Sequence, residues 1–269
     1  MDGRSIDTRS IDTADFTALR VRFDDDIAYL QIHRPEANNA INDRLIAEFA
    51  LAMDACDAHA KIVVVEGLPD VFCFGADFAE LQKSFDGEGM PQQDPKPMYD
   101  LWRRLATGPF VSIAHVRGKA NAGGIGFVAA CDIVIADSAA VFSLSELLFG
   151  LMPACVLPFL VRRIGFAKAN YMTLSTQPIT VQTAHEWGLV DAYEDNSDNL
   201  LRKNLLRLRR LNKQSVTRYK RYMSAIESSI DTAEPKALAA NREVFSDVEN
   251  LQRISRYVKT GQFPWEGAA

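Results

Sequence analysis

No apolar run in this 269-residue sequence approaches the roughly 18 residues that a membrane span needs, so no membrane-spanning segment is expected. The start, MDGRSIDTRSIDTADF, lacks an apolar h-region, which predicts a cytoplasmic chain. Cysteine and histidine are scarce, four of each, and they never fall together at zinc-ligand spacing. Reduced, packed thiols and no metal site follow as the expectation. Charge of one sign is lacking too: 30 Lys and Arg stand against 35 Asp and Glu, a net charge of -5. That balance attracts neither a phosphate backbone nor anionic lipid, so nucleic acid and membrane are not expected partners. Only 15 glycines and 11 prolines are present, which excludes a collagen-like or low-complexity chain. The one glycine cluster, NAGGIG, has no GK[ST] after it and not the spacing of a dinucleotide fingerprint, so no nucleotide cofactor is expected.

What is present is an ordinary globular composition, 48% hydrophobic and 24% charged. The tandem RSIDT repeat at residues 4–13 carries few apolar residues and predicts a disordered leader over 1–16. TALRVRF and IAYLQIH, separated by Asp24-Asp25-Asp26, predict a hairpin. The polar RPEANNAIND follows, with Asn42 or Asp43 as helix N-cap, and then Leu45, Ile46, Phe49, Ala50, Met53 and Cys56 recur on one helical face. KIVVVEG, FVSIAHVRG and CDIVIAD predict buried strands, and NAGGIGFVAA a glycine-initiated helix between the last two. Residues 71–100 read as less regular, with DGEGMPQQDPKP as a flexible loop. Strand–helix–strand alternation predicts an α/β core, and from Ala167 onward the signals are nearly all helical.

Three segments are not explained by packing alone. Phe74-Gly75-Ala76-Asp77 is a tight turn after a strand, able to leave a backbone N–H pointing into a cleft. Asn121-Ala122-Gly123-Gly124-Ile125-Gly126 opens a helix whose first N–H groups are free and sit at the positive end of its dipole. FSLSELLFG places one acid, Glu146, among apolar neighbours, where a carboxyl group is raised in pKa and can act as both acid and base. Taken singly, a plain turn and a helix-surface or capping glutamate are the commoner explanations of such signals.

In this order and spacing the segments resemble the crotonase (enoyl-CoA hydratase/isomerase) superfamily, from about Thr17 to the C-terminus, with HRPEANNAIN, FGAD, AGGIGF, CDIVIAD, SELLFGLMP and AHEWGLVD as the matching runs. The resemblance implies an α/β spiral of ββα turns over 17–197 with a C-terminal helical lobe over 198–269, assembled as a homotrimer or hexamer. It implies an oxyanion hole from the backbone N–H groups of Ala76 and Gly123, with Glu146 as the acid–base residue. Hydratases of this kind carry two glutamates, and here Gly126 stands at the other position. Dehalogenase-like members carry an aspartate where this chain has Ala154. One glutamate suffices for a syn dehydration, taking the C2 proton and returning it to the departing hydroxyl.

A narrower set of motifs, among them LPDVFCFGADF, YDLWRRLATGP, LLRKNLLRLRRLNK and GQFPWE, resembles the dehydratases of polyketide β-branching cassettes. That resemblance implies dehydration of a 3-hydroxy-3-methylglutaryl group, held on the phosphopantetheine of an acyl carrier protein, to a 3-methylglutaconyl group. Decarboxylation of a glutaconyl thioester and general enoyl-CoA hydration are the alternatives, with a non-catalytic RNA- or partner-binding member beyond them. Glu36, after Arg34-Pro35, would repel a CoA diphosphate, whereas the basic run from Arg202 to Arg221, including Arg207 and Arg210, would attract an acidic carrier helix. A solvated helix face or a contact between copies explains that run as well. The expected substrate-binding residues are Ala37, Phe74, Gly124, Tyr99 and Arg103. Lys83, Tyr99, Arg103 and Lys119 are the groups eligible for the distal carboxylate. Cys73 and Cys155 flank the pocket in sequence, and His59 and His115 read as solvent and packing residues.

Overall fold

The computed structural model describes residues 13, 15–88 and 94–266, so the expected leader lies almost wholly outside the described residues. Its frame is a six-stranded sheet in the order β1-β2-β3-β5-β7-β10. β1 (Leu19–Asp24) and β2 (Ile27–Ile32) form the antiparallel hairpin, and β3 (Ile62–Glu66), β5 (Val111–Val116), β7 (Ile133–Asp137) and β10 (Ala192–Glu194) continue it in parallel. The continuous apolarity of β3 has the two-sided cause that its sequence suggests. Ile62 and Val64 point into one cluster with Ile27, Ile113 and Ile135, closed by Leu201 and Leu205 of α8 (Ser197–Leu208). Val63 and Val65 point into the larger core under α1 (Asp43–His59), α3 (Lys96–Thr107) and α4 (Gly123–Ala130). Asn42 caps α1, its side chain accepting from the Leu45 N–H.

A smaller sheet, β4-β6-β8-β9, stacks a second strand onto each turn of the chain. β4 (Val71–Cys73) follows β3, β6 (Lys119–Asn121) follows β5, and β8 (Val141–Ser143) follows β7, so each turn supplies one strand to each sheet before a helix closes it. This is the spiral of ββα turns that the family resemblance implies. β4, β6 and β8 run parallel, and β6 is paired with β8 through Asn121 and Ser143. Their carboxyl ends therefore lie side by side, where open parallel sheets gather ligands. FGAD, NAGGIG and LSELLFG are what leave those three ends.

Two sequence expectations need correction. Residues 71–100 hold β4, α2 (Phe78–Glu88) and the start of α3, and Asp86–Glu88 and Lys96–Pro97 of the expected loop are helical. Proline at the start of α3 is tolerated because those first N–H groups have no helical acceptor; residues 89–93 lie outside the described residues. After Ala167, β9 (Ile179–Thr180) pairs with β8 and β10 with β7, both too short to carry a period of their own. The helices α5 (Leu157–Ile164), α6 (Phe166–Ser175), α7 (Val181–Glu186), α9 (Lys213–Ile226), α10 (Ser229–Phe245) and α11 (Val248–Thr260) fill the rest. Among the described residues no helix is long and apolar enough to cross a membrane, no acid, His or Cys group could hold a metal, and the four cysteines are free and buried.

Candidate active site

Ala76 forms an isolated parallel bridge with Ile41. The flanking bonds, Ile41 N–H to Gly75 O at 2.7 Å and Asp77 N–H to Ile41 O at 3.0 Å, take up the partner strand on that side. The Ala76 N–H faces the other way and enters no hydrogen bond among the described residues. Arg34 anchors this turn, pairing with Asp77 at 2.9 Å and donating to Ala40 O, and so ties the RPEAN loop to FGAD. Gly75 has φ 91°, and a Cβ there would come within 2.6 Å of the Ala122 Cβ and 3.4 Å of the Gly123 nitrogen. The two expected donor loops are thus in contact.

Gly123 is the first residue of α4, so its N–H has no acceptor within the helix. Ala122 before it sits at φ 50°, ψ -120°, a conformation that costs a non-glycine residue on the order of 1–3 kcal/mol and that aims the following N–H groups off the end of β6. Its own N–H is held by Ser143 O at 3.0 Å. Gly124 lies so close to β4 that a Cβ would meet Cys73 O at 2.3 Å.

Glu146 opens a short 3-10 turn over Glu146–Phe149, closed by Gly150 in the left-handed region at φ 79°. Asn250 of α11 seals the far end, donating to Gly150 O at 3.0 Å. Glu146 keeps partial exposure as a residue, yet its Oε2 is sealed from solvent and has no hydrogen-bond partner among the described residues. Burial raises the carboxyl pKa to about 7, against the opposing pull of the Glu146 and Ser145 N–H groups. A group poised there is half ionised near neutrality and can both take and return a proton.

The structure also accounts for Gly126. A Cβ at that position would lie 2.4–2.6 Å from the indole of Trp102, so no larger side chain fits beside it. Trp102 packs edge-on against Phe127 and Phe159, with its Nε1–H buried and unpartnered among the described residues. Sequence reasoning missed Trp102; its one signal was a bulky aromatic on α3 opposite a glycine-rich helix.

Not all expected site residues come together. Phe74 is 44% exposed beside the donor loop, and Ala37 closes the short 3-10 turn over Pro35–Ala37. Tyr99 is fully buried, its hydroxyl donating to Ile230 O at 2.6 Å, and Arg103 is engaged by Asp100 and Glu234. Both tie α3 to α10. Lys83 and Lys119 are exposed, and Ala154 lines an apolar groove of about 440 Å³ beside α5 and α10. Cys73 and Cys155 are buried thiols pushed up to about 12 by desolvation, the state of inert packing groups. His115 is fully buried between Glu66 and Ser197, at 2.8 and 2.7 Å, joining β3, β5 and α8. The basic run is less free than its sequence suggests. Lys220 is buried against Asp132 and Leu105 O, Lys213 donates to Cys56 and Asp57 carbonyls, and Arg209 pairs with Asp24, whereas Arg207 and Arg210 are exposed.

Two backbone N–H groups without a partner among the described residues and one desolvated glutamate lie at the ends of three parallel strands, an arrangement that can stabilise a carbonyl oxyanion while a proton moves. The enoyl-CoA hydratase/isomerase family model matches residues 22–268. The chain belongs to that family. It is 56% identical over 257 residues to the bacillaene synthase dehydratase PksH of Bacillus subtilis, covering 95% of this chain and 99% of that one. It is 30% identical over 224 residues to the 2,3-dehydroadipyl-CoA hydratase of Escherichia coli, covering 82% and 86%. The solved structure of the Bacillus subtilis polyketide biosynthesis enoyl-CoA hydratase superposes with a TM-score of 0.91 over 93% of this chain and 100% of that one. A hydratase/isomerase from Xanthobacter autotrophicus, 24% identical, shares the fold with a TM-score of 0.81, covering 91% and 94%. As a member with a dehydratase so similar, the chain is an enzyme of the hydro-lyase type.

Proposed function

We propose that this enzyme dehydrates 3-hydroxy-3-methylglutaryl-acyl carrier protein to the 3-methylglutaconyl thioester during polyketide β-branching. The observation that carries the reading is Glu146: one desolvated carboxyl group beside two free N–H donors, with the neighbouring helix position closed by Trp102. The similarity to a bacillaene synthase dehydratase supports the polyketide setting.

In the reaction, the N–H groups of Ala76 and Gly123 hold the thioester oxygen. Ionised Glu146 takes the C2 proton, and the C–H electron pair moves into an enolate whose charge rests on that oxygen. The same carboxyl group, now protonated, gives its proton to the C3 hydroxyl. The enolate electrons form the C2–C3 double bond as the C3–O bond breaks and water leaves. A tertiary C3–O bond breaks with more positive character at carbon, so the step needs less push from a second group. Ala37, Phe74 and Gly124 would line the thioester arm, and exposed Arg207 and Arg210 would meet an acidic carrier helix.

Mass spectrometry of a carrier protein loaded with 3-hydroxy-3-methylglutarate tests the reading. Loss of one water after incubation supports it. Loss of carbon dioxide from a glutaconyl-loaded carrier would assign the decarboxylase reading, and turnover of free enoyl-CoA alone a general hydratase.

A further inference from the structure

Asn121 ends β6, and all three segments of the site meet on its side chain. Its Nδ2 donates to Ser145 Oγ at 3.0 Å and to Phe74 O at 3.4 Å, and its Oδ1 accepts from Ser143 Oγ at 2.8 Å. One buried amide therefore touches the residue before Gly75-Ala76 and the residue before Glu146, and its own chain leads directly to Ala122-Gly123. Ser145 stands at the N-cap of the Glu146 turn, yet its hydroxyl makes no cap bond; it is turned to Asn121 instead. A leucine would fill the same volume but leave the Phe74 carbonyl and both hydroxyls without this partner.

We propose that Asn121 is a positioning residue whose amide locks the Ser145–Glu146 step against the two donor loops, keeping the carboxylate out of water and in fixed register with the Ala76 and Gly123 N–H groups. The proposal rests on the reading of Glu146 as the acid–base group. The charged side chain packed at the far end of the Glu146 turn, against Gly150, is Arg253 of α11, held by Asn250 and Glu249.

Asn121→Leu removes all three bonds, and Ser145→Ala removes only the link to Glu146. The first readout needs no substrate: the melting-temperature gap between each protein and its Glu146→Gln counterpart, followed against pH, has an inflection at the folded-state titration of Glu146. In the wild type it is expected near pH 7. In Asn121→Leu it should fall by roughly one pH unit or more as the carboxylate regains water. Ser145→Ala should give a smaller fall. Turnover is the second readout: kcat should drop at least about tenfold with KM for the loaded carrier little changed, as for a misplaced catalytic group. An inflection that stays at the wild-type pH in folded Asn121→Leu overturns the proposal whatever happens to turnover. If that variant does not fold, the inflection of Ser145→Ala decides in the same way. Wild-type turnover by Glu146→Gln would instead remove the reading of Glu146, while the inflection still reports on Asn121.

Discussion

Glu48 and Glu146 both lose water on folding, and the protein treats the two losses in opposite ways. Glu48, on α1, is 5% exposed and accepts hydrogen bonds from the Thr17, Ala18 and Leu19 N–H groups at 2.9 Å each and from Arg44 at 2.8 Å. Burial alone would raise its pKa, but those four donors outweigh it and hold the carboxyl group below the usual range. It is an ionised clasp that fastens the entry to β1 onto α1. Glu146 has no such donors on Oε2, and its pKa moves the other way, to about 7. A carboxylate satisfied by fixed partners stabilises the fold and cannot exchange its proton near neutrality; one left unsatisfied weakens the fold and can.

Replacing Glu146 by Gln is expected to have the largest effect. Turnover should fall by about 10²–10⁴, the contribution of general acid–base catalysis, without loss of fold. Stability should move in the opposite direction. Because the folded pKa lies above the unfolded value of 4.5, the folded state holds the extra proton between the two, and wild-type stability declines as pH rises through that window. The variant lacks that decline, so denaturant melts at pH 8 should find it more stable, by up to about 3 kcal/mol, with the gap closing toward pH 4.5. A variant that is less stable at every pH would show that the carboxylate has partners.

Next in size is the loss expected at Gly123, the proposed second donor. Proline is tolerated at a first helical position and removes the N–H, so Gly123→Pro should cost about 10²–10³ in kcat. Gly123→Ala keeps the N–H and meets only the mobile end of Ile41, so single-turnover assays should find it far more active than the proline variant. Equal losses in the two would place the donor elsewhere.

Glu48→Gln should invert the Glu146 result. Its folded pKa is depressed, so its contribution is fully present above about pH 4.5 and disappears as pH falls through the folded value. At neutral pH the variant should lose about 3 kcal/mol, since a neutral amide offers fewer acceptors to the N–H groups of residues 17–19. Turnover per folded molecule should stay at the wild-type level.

The contrast between these glutamates was half legible in the sequence. Glu146 stood out because an acid in an apolar run has a physical cost, and its motif carried a family resemblance. Glu48 did not, since a polar residue beside the apolar stripe of an amphipathic helix is ordinary, and its donors lie 29–31 residues away. The same holds for Asn121, whose partners are 22, 24 and 47 residues distant and meet it only through the β4-β6-β8 register. The strand–helix alternation of the larger sheet was readable because β1, β2, β3, β5 and β7 are five or six residues long, whereas the second strands β4, β6 and β8, three residues each, came only with the family resemblance. β9 and β10, two and three residues long, exist only because neighbouring strands offer them an edge. Tyr99 and Arg103 looked like free polar groups and are spent on α10.

Gly126 gives a smaller and purely steric effect. A methyl group there must displace the Trp102 indole, which is itself packed by Phe127 and Phe159, so Gly126→Ala should cost about 1–3 kcal/mol in urea unfolding, as overpacking does. Pairing it with Trp102→Phe should recover part of the loss, since the smaller ring withdraws atoms from the contact. No recovery would mean that the strain sits in the α4 backbone.

The smallest effect concerns the face opposite in character to the Glu146 pocket: solvated charge instead of buried charge. Arg202, Arg207, Arg210, Arg218 and Arg221 are exposed while Arg209, Lys213 and Lys220 are paired within the chain, so the proposed carrier protein would meet fewer free cations than the run contains. Exposed charges act through association rate and are screened beyond about 8–10 Å at physiological salt. Reversing Arg207 and Arg210 to Glu should therefore lower kcat/KM for the carrier-linked substrate on the order of tenfold at low ionic strength, with the difference shrinking as salt is added. The pantetheine or CoA thioester, which lacks the acidic helix, should lose little. Because neither arginine touches the core, melting temperatures should not change. An equal loss on both thioesters would move the role of this face from carrier steering to assembly of the enzyme itself.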